Sequence, residues 1–434
     1  MKYLPIDKKL FVDNRKRFTS HLQKDSIAIF NSNDEMPRNG DQNFLFRQNS
    51  DLFWLTGIDQ EETVLIIAPD HPLPEYREAL FLRKTNEHIA IWEGHKYTKE
   101  EAREASGIQH VYWIDDLNTM LQVMIHHSKT IYINLNENDR FATEVAYRDE
   151  RFAKELSAKY PNHHYERSGP IMAKLRAIKS EAEVKLLSIA CDITDKAFRR
   201  VLKFVKPGVM EYEIEAEITH EFIRNRANGH GYYPIIASGA NANVLHYVQN
   251  NNPCKDGEVL LLDFGAEYAN YSADMTRSIP VSGKFTKRQK DVYNAVLKVM
   301  IAATKLLVIG NTIPKYHEEV GRVMEEQLCL LGLLKADEVK KQDPKQPLYK
   351  KYFMHGTSHF LGLDVHDIGN RYEPMMAGMV FTCEPGIYIP EENLGIRLEN
   401  DILITEKGPV DLMAKIPVEA DEIEEMMGKR AVVA

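Results

Sequence analysis

The chain has 434 residues, 55 basic and 64 acidic, for a formal charge of −9, with 44 % apolar and 27 % charged residues. At about 150 residues per domain this length allows two or three domains with substantial cores, and the composition is that of a folded globular protein. The negative balance disfavours a general nucleic-acid or anionic-membrane surface, and no stretch approaches the roughly 18 apolar residues of a membrane span.

Within the first 165 residues, β-rich runs at 26–30, 63–68, 79–83 and 130–135 alternate with helical-looking segments around 99–106, 116–126 and 143–158, which predicts an α/β domain. Trp92, in HIAIWEGH, is expected in the core of that domain. Gly169 and Pro170, followed by the Ser180-x-x-Glu183 capping box, place a domain boundary near residue 170, giving domains 1–170 and 171–434. From Ser180 onward Leu186, Ala190, Ile193, Ala197, Val201 and Phe204 recur at spacings of three and four, so a long amphipathic helix runs to Pro207-Gly208. Further helices are expected over 211–228, 286–307 and 314–333, with strands at 234–238, 259–265, 272–281, 379–385 and 401–406. Strands and helices in separate runs indicate α+β, with helices covering one face of a largely antiparallel sheet. Cys191, Cys254, Cys329 and Cys383 stand far apart with no CxxC pair, so no zinc ribbon or disulfide framework is expected. A reducing compartment fits. The opening MKYLPIDKKLFVDNRKRF has no apolar core after its basic residues, and a cytoplasmic location follows as the expectation.

The second domain is dense in carboxylates and histidines beside strands. Asp263 follows VLLL at a strand end next to Gly265, where the backbone can turn closely past a ligand, and Asp274 lies within SADMTRS. Either aspartate alone reads as a turn or cap residue; two in successive strands of a hairpin read as a pair. MHGTSHFLGLDVHDIG holds His355, His359 and His366, with Gly356 and Gly362 limiting bulk around them. Glu384 ends an apolar strand before Pro385-Gly386. In GIRLEND, Arg397, Glu399 and Asp401 alternate, which puts them on one face of a strand, and burial of that face would demand pairing or metal. A solvated face would instead require Leu398 and Asn400 to be buried, which suits Asn400 poorly.

Asp263, Asp274, His359, Glu384 and Glu399 together would repel and titrate upward without metal. Two divalent cations would cancel the four negative charges, and oxygen-rich ligation with one imidazole favours an ion such as Mn²⁺. Two such ions about 3.5–4 Å apart can share a bridging water, lower its pKa and hold it against a carbonyl, which is hydrolysis.

The ordered set LLLDFG, SADMTRS, HGTSHFLGLDVHD, TCEPGIY and GIRLEND resembles the pita-bread metallopeptidases, and among them the Xaa-Pro aminopeptidase and prolidase group. RNGDQNFLFRQNSDLFWLTGIDQEETVLII resembles that group's amino-terminal domain, so the resemblance spans nearly the whole chain. It implies a pita-bread catalytic domain, with a curved, largely antiparallel sheet covered by helices, preceded by a smaller α/β domain. It also implies a dinuclear, manganese-dependent hydrolase that releases the N-terminal residue from peptides with proline second. Carried over by position, the metal ligands are Asp263, Asp274, His359, Glu384 and Glu399, with Asp263 and Glu399 bridging. Glu384 doubles as general base for the bridging water. His246 and His366 orient the peptide and stabilise the tetrahedral intermediate, His355 lies near the prolyl ring, and Arg397 and Tyr388 support the site. In the resembling enzymes an aromatic of the first domain reaches a neighbouring subunit's active site, which implies a homodimer or homotetramer.

A proline substrate makes physical sense. An Xaa-Pro bond has no N–H, so a protease that pairs a substrate strand through that donor loses a contact. A dedicated site holds the rigid ring and one isomer instead, since the trans preference is only about 0.5–1 kcal/mol. Three alternatives share the fold: a prolidase, whose pocket closes beyond the prolyl carboxylate; a methionine aminopeptidase, which generally lacks the long first domain; and a metal-free non-peptidase, which departs at the ligand positions.

Overall fold

Short runs of Ile, Val and Leu bounded by turn residues build the frame. A computed structural model describes residues 2–428, and the chain divides into two compact units, Tyr3–Arg176 and the part from Ala177 onward.

The strands of the first unit are β1 (Ser26–Asn31), β2 (Pro37–Asn39), β3 (Gln42–Asn43), β4 (Val64–Ile67), β5 (Glu78–Leu82), β6 (His110–Trp113), β7 (Thr130–Ile133) and β8 (His164–Arg167). Six of them form one sheet in the order β6-β5-β4-β1-β7-β8, while β2 and β3 pair only with each other. The sheet is mixed: β1 runs parallel to β7 and antiparallel to β4. Its helices are α1 (Lys9–Thr19), α2 (Ser50–Thr56), α3 (Glu87–Glu93), α4 (Lys99–Ser106), α5 (Leu117–His126), α6 (Arg148–Lys159) and α7 (Gly169–Ala177). Every residue of β1 is buried: Ile27 and Ile29 pack with Val64, Ile66, Phe81, Ile125 and Leu156 on one face, and Phe30 meets Phe18 of α1 on the other, their rings 5.1 Å apart. Helix α4 shows how locally the ends are written: Thr98 and Glu101 form a reciprocal capping box, and Gly107 stops the helix in the left-handed conformation. Trp92 departs from expectation. It lies on α3, which buries none of its residues, and is 79 % exposed; the core tryptophan is Trp54 of α2.

In the second unit Ser180 and Glu183 form the predicted capping box at the start of α8 (Glu181–Phe204), which buries Leu186, Ala190, Ile193, Ala197 and Val201. The other helices are α9 (Glu211–Arg224), α10 (Lys287–Leu306), α11 (Ile313–Leu330), α12 (Ala336–Val339) and α13 (Ala420–Gly428). The strands are β9 (Gly229–His230), β10 (Ile235–Ser238), β11 (Val259–Asp263), β12 (Ala266–Tyr268), β13 (Tyr271–Ser272), β14 (Thr276–Pro280), β15 (Val380–Cys383), β16 (Gly386–Ile389), β17 (Leu394–Arg397), β18 (Asn400–Thr405) and β19 (Gly408–Asp411). Among the described residues their pairings are antiparallel, in the orders β10-β11-β14, β13-β12-β9, β15-β18-β19 and β16-β17. No helix of the described residues is long and apolar enough to cross a membrane.

Two sequence expectations change here. The run 272–281 is not one strand, because residues 273–275 leave the ladder between β13 and β14. The cause is a backbone crossing: a Cβ on Gly265 would fall 1.7 Å from the Ala273 carbonyl oxygen, so Gly265 admits neighbouring chain rather than a ligand. Nor is GIRLEND one strand. β17 pairs with β16 and β18 with β15 and β19, and the chain breaks between them at Leu398-Glu399. Arg397, Leu398, Glu399, Asn400 and Asp401 are all buried, so the segment has no solvated face.

Gly265→Ala should therefore destabilise the second unit by at least about 1–3 kcal/mol, the usual cost of overpacking, read as a lower denaturation midpoint. Burial also sets a pH dependence. His230 of β9, its Nε2 2.8 Å from the Thr219 hydroxyl, is pushed by burial down to about 4. A histidine kept neutral in the fold contributes stability that is complete above its ordinary 6.5 and is lost as pH falls toward about 4. That loss is on the order of 3 kcal/mol. His230→Gln should flatten the stability profile between those pH values in urea titrations; an unchanged slope contradicts the assignment.

Candidate metal centre

Strand ends and breaks deliver the chemistry. Asp263 is the last residue of β11, opposite Thr276, while Asp274 sits in the break before β14. Glu384 directly follows β15, and Glu399 occupies the break between β17 and β18. His359 lies just before the isolated bridge between Phe360 and Phe381.

These elements converge. Ligand atoms of Asp274, His359 and Glu399 lie within 4.8 Å of one another. His359 Nε2 stands 3.4 Å from Asp274 Oδ2 and 3.6 Å from Glu384 Oε1, and its Nδ1 pairs with the Phe360 carbonyl at 3.0 Å. With Nδ1–H directed at that carbonyl, Nε2 is the ring nitrogen turned to the carboxylates, and in the neutral imidazole its lone pair would be offered to a cation there. Asp263 is outside the trio but tied to it: the Tyr232 hydroxyl is 2.7 Å from Asp263 Oδ1 and 2.6 Å from Asp274 Oδ1. One hydroxyl hydrogen can serve only one of the two oxygens.

A second layer orients these groups. Arg397 donates to Asp263 Oδ2 through Nη2, to Tyr388 Oη at 2.9 Å through Nη1 and to Thr276 Oγ1 at 3.0 Å through Nε. Thr276 Oγ1 in turn donates to Glu399 Oε2 at 2.6 Å. Tyr388 Oη is 2.8 Å from His355 Nε2, and His355 Nδ1 is 2.7 Å from the Gly356 carbonyl, so the tyrosine donates to a neutral imidazole. Arg277, fully buried, holds the Glu399 carbonyl at 2.7 Å and that of Pro417 at 2.7 Å. Asp401 does not face the ligands. It accepts from the Asp274 backbone N–H at 3.1 Å and the Cys191 thiol at 3.4 Å.

The electrostatics follow from burial and crowding. Burial, then Asp274 and Asp263, lift Glu384 to about 7 against the pull of His359 and Arg397. Burial and the charges of Asp274, Glu384 and Asp263 push Glu399 well above the usual carboxylate range. Asp263 is raised by burial, with Arg397 opposing. His359 is raised although burial opposes it, because Asp274 and Glu384 favour its charged form. His355 is pushed down to about 3 by burial and by Arg397. Buried carboxylates so short of positive charge, oxygen-rich with one imidazole, suit divalent cations.

Of the remaining expected residues, the His366 ring lies 4.4 Å from that of His359 at 89°. His246 is exposed, on a loop whose Leu245 and Tyr247 pack with Ala242, Leu261 and Tyr388. Sequence reading missed Tyr232, Thr276 and Arg277. The aromatic hydroxyl in GYYP before β10 was the available signal for Tyr232, and Thr276 and Arg277 stood inside the quoted SADMTRS.

Residues 185–406 match the metallopeptidase family M24, and residues 11–132 match the aminopeptidase P N-terminal domain. The chain belongs to metallopeptidase family M24. It is 33 % identical to the Xaa-Pro aminopeptidase of Haemophilus influenzae over 97 % of this chain and 98 % of that one. It is likewise 33 % identical to the Xaa-Pro aminopeptidase of Escherichia coli over 97 % of this chain and 98 % of that one. The structure of aminopeptidase P from E. coli with the inhibitor Pro-Leu is similar at a TM-score of 0.87 and 31 % identity, covering 98 % of this chain and 99 % of that one. This M24 member is thus a hydrolase with the expected architecture, a pita-bread catalytic domain preceded by a smaller α/β domain of the aminopeptidase P type.

The hydrogen-bonded chain from Asp263 through Arg397 and Tyr388 to His355 makes Tyr388→Phe informative. Removing that hydroxyl leaves a buried acceptor on His355 and a donor on Arg397 unpaired, so stability should fall by about 1–3 kcal/mol in urea denaturation. A neutral substitution contradicts the chain.

Proposed function

We propose that this M24 hydrolase is an Xaa-Pro aminopeptidase, releasing the N-terminal residue from peptides with proline in the second position. The observation that carries the reading is the buried set of carboxylates around His359, in a chain that matches the Xaa-Pro aminopeptidases through both of its domains. Asp263, Asp274, His359, Glu384 and Glu399 would hold two divalent ions, with Mn²⁺ the first candidate. When bound, such ions supply Lewis acidity and an activated water.

The chain's own residues do the rest. Glu384, directly after β15 with Oε1 3.6 Å from His359 Nε2, takes the proton of the attacking water as general base. His246 and His366 orient the peptide and donate where negative charge develops on the scissile carbonyl oxygen. His355, held neutral by burial and oriented by Tyr388, lines the space for the prolyl ring, and Arg397 holds Asp263 and Tyr388 in register.

The working protein is proposed to be a cytoplasmic homodimer or homotetramer with domains 1–170 and 171–434. Support for assembly comes from the first unit, where Ile91 and Trp92 of α3 and Phe44 and Leu45 after β3 are all exposed. Large apolar side chains left exposed to this degree are candidates for an association surface.

Metal-stripped protein reloaded with Mn²⁺ should release arginine from Arg-Pro-Pro-Gly. Cleavage of Gly-Pro without the longer peptide would make it a prolidase, and activity on neither would overturn the peptidase reading. Glu384→Gln should lower kcat by about 10²-fold or more, the usual size of a lost general base.

A further inference from the structure

One ion pair of the second unit is buried as deeply as the ligands yet takes no part in the set around His359. The side chains of Lys179 and Asp367 are each 1 % exposed, with Nζ 3.1 Å from Oδ2. Taking both charges out of water costs several kcal/mol per ion, so such a pair is weak evidence for stability and strong evidence for fixed geometry only where it pins something.

What it pins is the segment that carries the histidines. Lys179 sits in the link between α7 and α8, anchored by its own N–H to the Gly378 carbonyl at 2.8 Å and by the bridge between Ile178 and Met379. Asp367 closes an irregular loop: its N–H returns to the Phe360 carbonyl at 2.9 Å. Between them Gly362 leaves the space the pair needs. A Cβ there would stand 2.1 Å from Asp367 Oδ2 and 3.0 Å from Lys179 Cε. Residues 361–367 belong to no helix or strand, so no ladder holds His366, which immediately precedes Asp367 and sets its ring 4.4 Å from that of His359.

We propose that Lys179, acting through Asp367, is a positioning residue that fixes the His366 imidazole beside the metal centre. The inference rests on the substrate-side role given to His366 above. A group that meets the substrate most strongly as charge develops must be held to within a fraction of an ångström, and loss of that hold reduces kcat more than substrate or metal binding.

The test uses the metal-loaded enzyme, with kcat, KM and bound metal measured for each variant. Lys179→Met combined with Asp367→Leu replaces the ions by apolar side chains and strands no buried charge. It should keep the wild-type metal content and a near-normal KM while kcat falls by about tenfold or more. His366→Ala alone should also lower kcat, and on the double-variant background it should add less than about threefold, because the two changes act on one interaction. Lys179→Arg, which keeps the charge, should recover part of the loss. If His366→Ala costs its full factor on the double-variant background, or the double variant keeps wild-type kcat, the positioning role is overturned. If His366→Ala alone leaves kcat unchanged, the role of His366 fails first and takes this inference with it. Should the double variant not fold, Lys179→Met combined with Asp367→Asn, which likewise strands no buried charge, carries the same cycle with the same expected outcomes.

Discussion

Carboxylates that repel one another are buried together, and the second unit is organised around that fact. Asp263, Asp274 and Glu399 are buried and the Glu384 side chain is only 18 % exposed, and the Arg397 guanidinium reaches Asp263 directly. At low effective dielectric each added negative charge is costly, which is why Glu384 and Glu399 are displaced upward. A fold holds such a set when cations complete it, and the M24 family supplies the chemical reason: the product of that assembly is a hydrolase.

Antiparallel strands deliver the set because each contributes an end or a break rather than a ladder position. A carboxylate in mid-ladder would share its face with packed neighbours; at the last residue of β11, after β15 and in the breaks before β14 and β18, the side chain is released from the sheet. The backbone groups freed at those breaks are satisfied elsewhere. Glu399 N–H goes to the Thr276 carbonyl at 3.0 Å, and its own carbonyl goes to Arg277. Arg397 then couples the layers, touching Asp263, Thr276 and Tyr388 from one planar fork.

Much of this was legible in the chain because it is written locally. The capping box at Ser180 and the periodicity of α8 involve residues within one or two turns. The ligand residues were legible for a different reason: Asp263 and Glu384 close apolar runs, and with Asp274, Glu399 and the clustered histidines they read as a set, although each alone had an ordinary explanation. Long-range features were not legible. The break at Leu398-Glu399 exists because β17 and β18 pair with different partners, which no alternation pattern within GIRLEND reveals. Trp92 reads as a core residue by type, yet α3 packs none of its side chains. Tyr232, Arg277 and Lys179 find partners 31 or more residues away, so their roles exist only in the folded chain.

The central claim is that the buried carboxylates and His359 are a cation site. Elemental analysis of stripped protein saturated with Mn²⁺ should find two ions per chain, and Asp274→Asn should lose bound metal while keeping the wild-type circular dichroism spectrum. A well-folded wild-type chain that retains no divalent ion would contradict the account at its root.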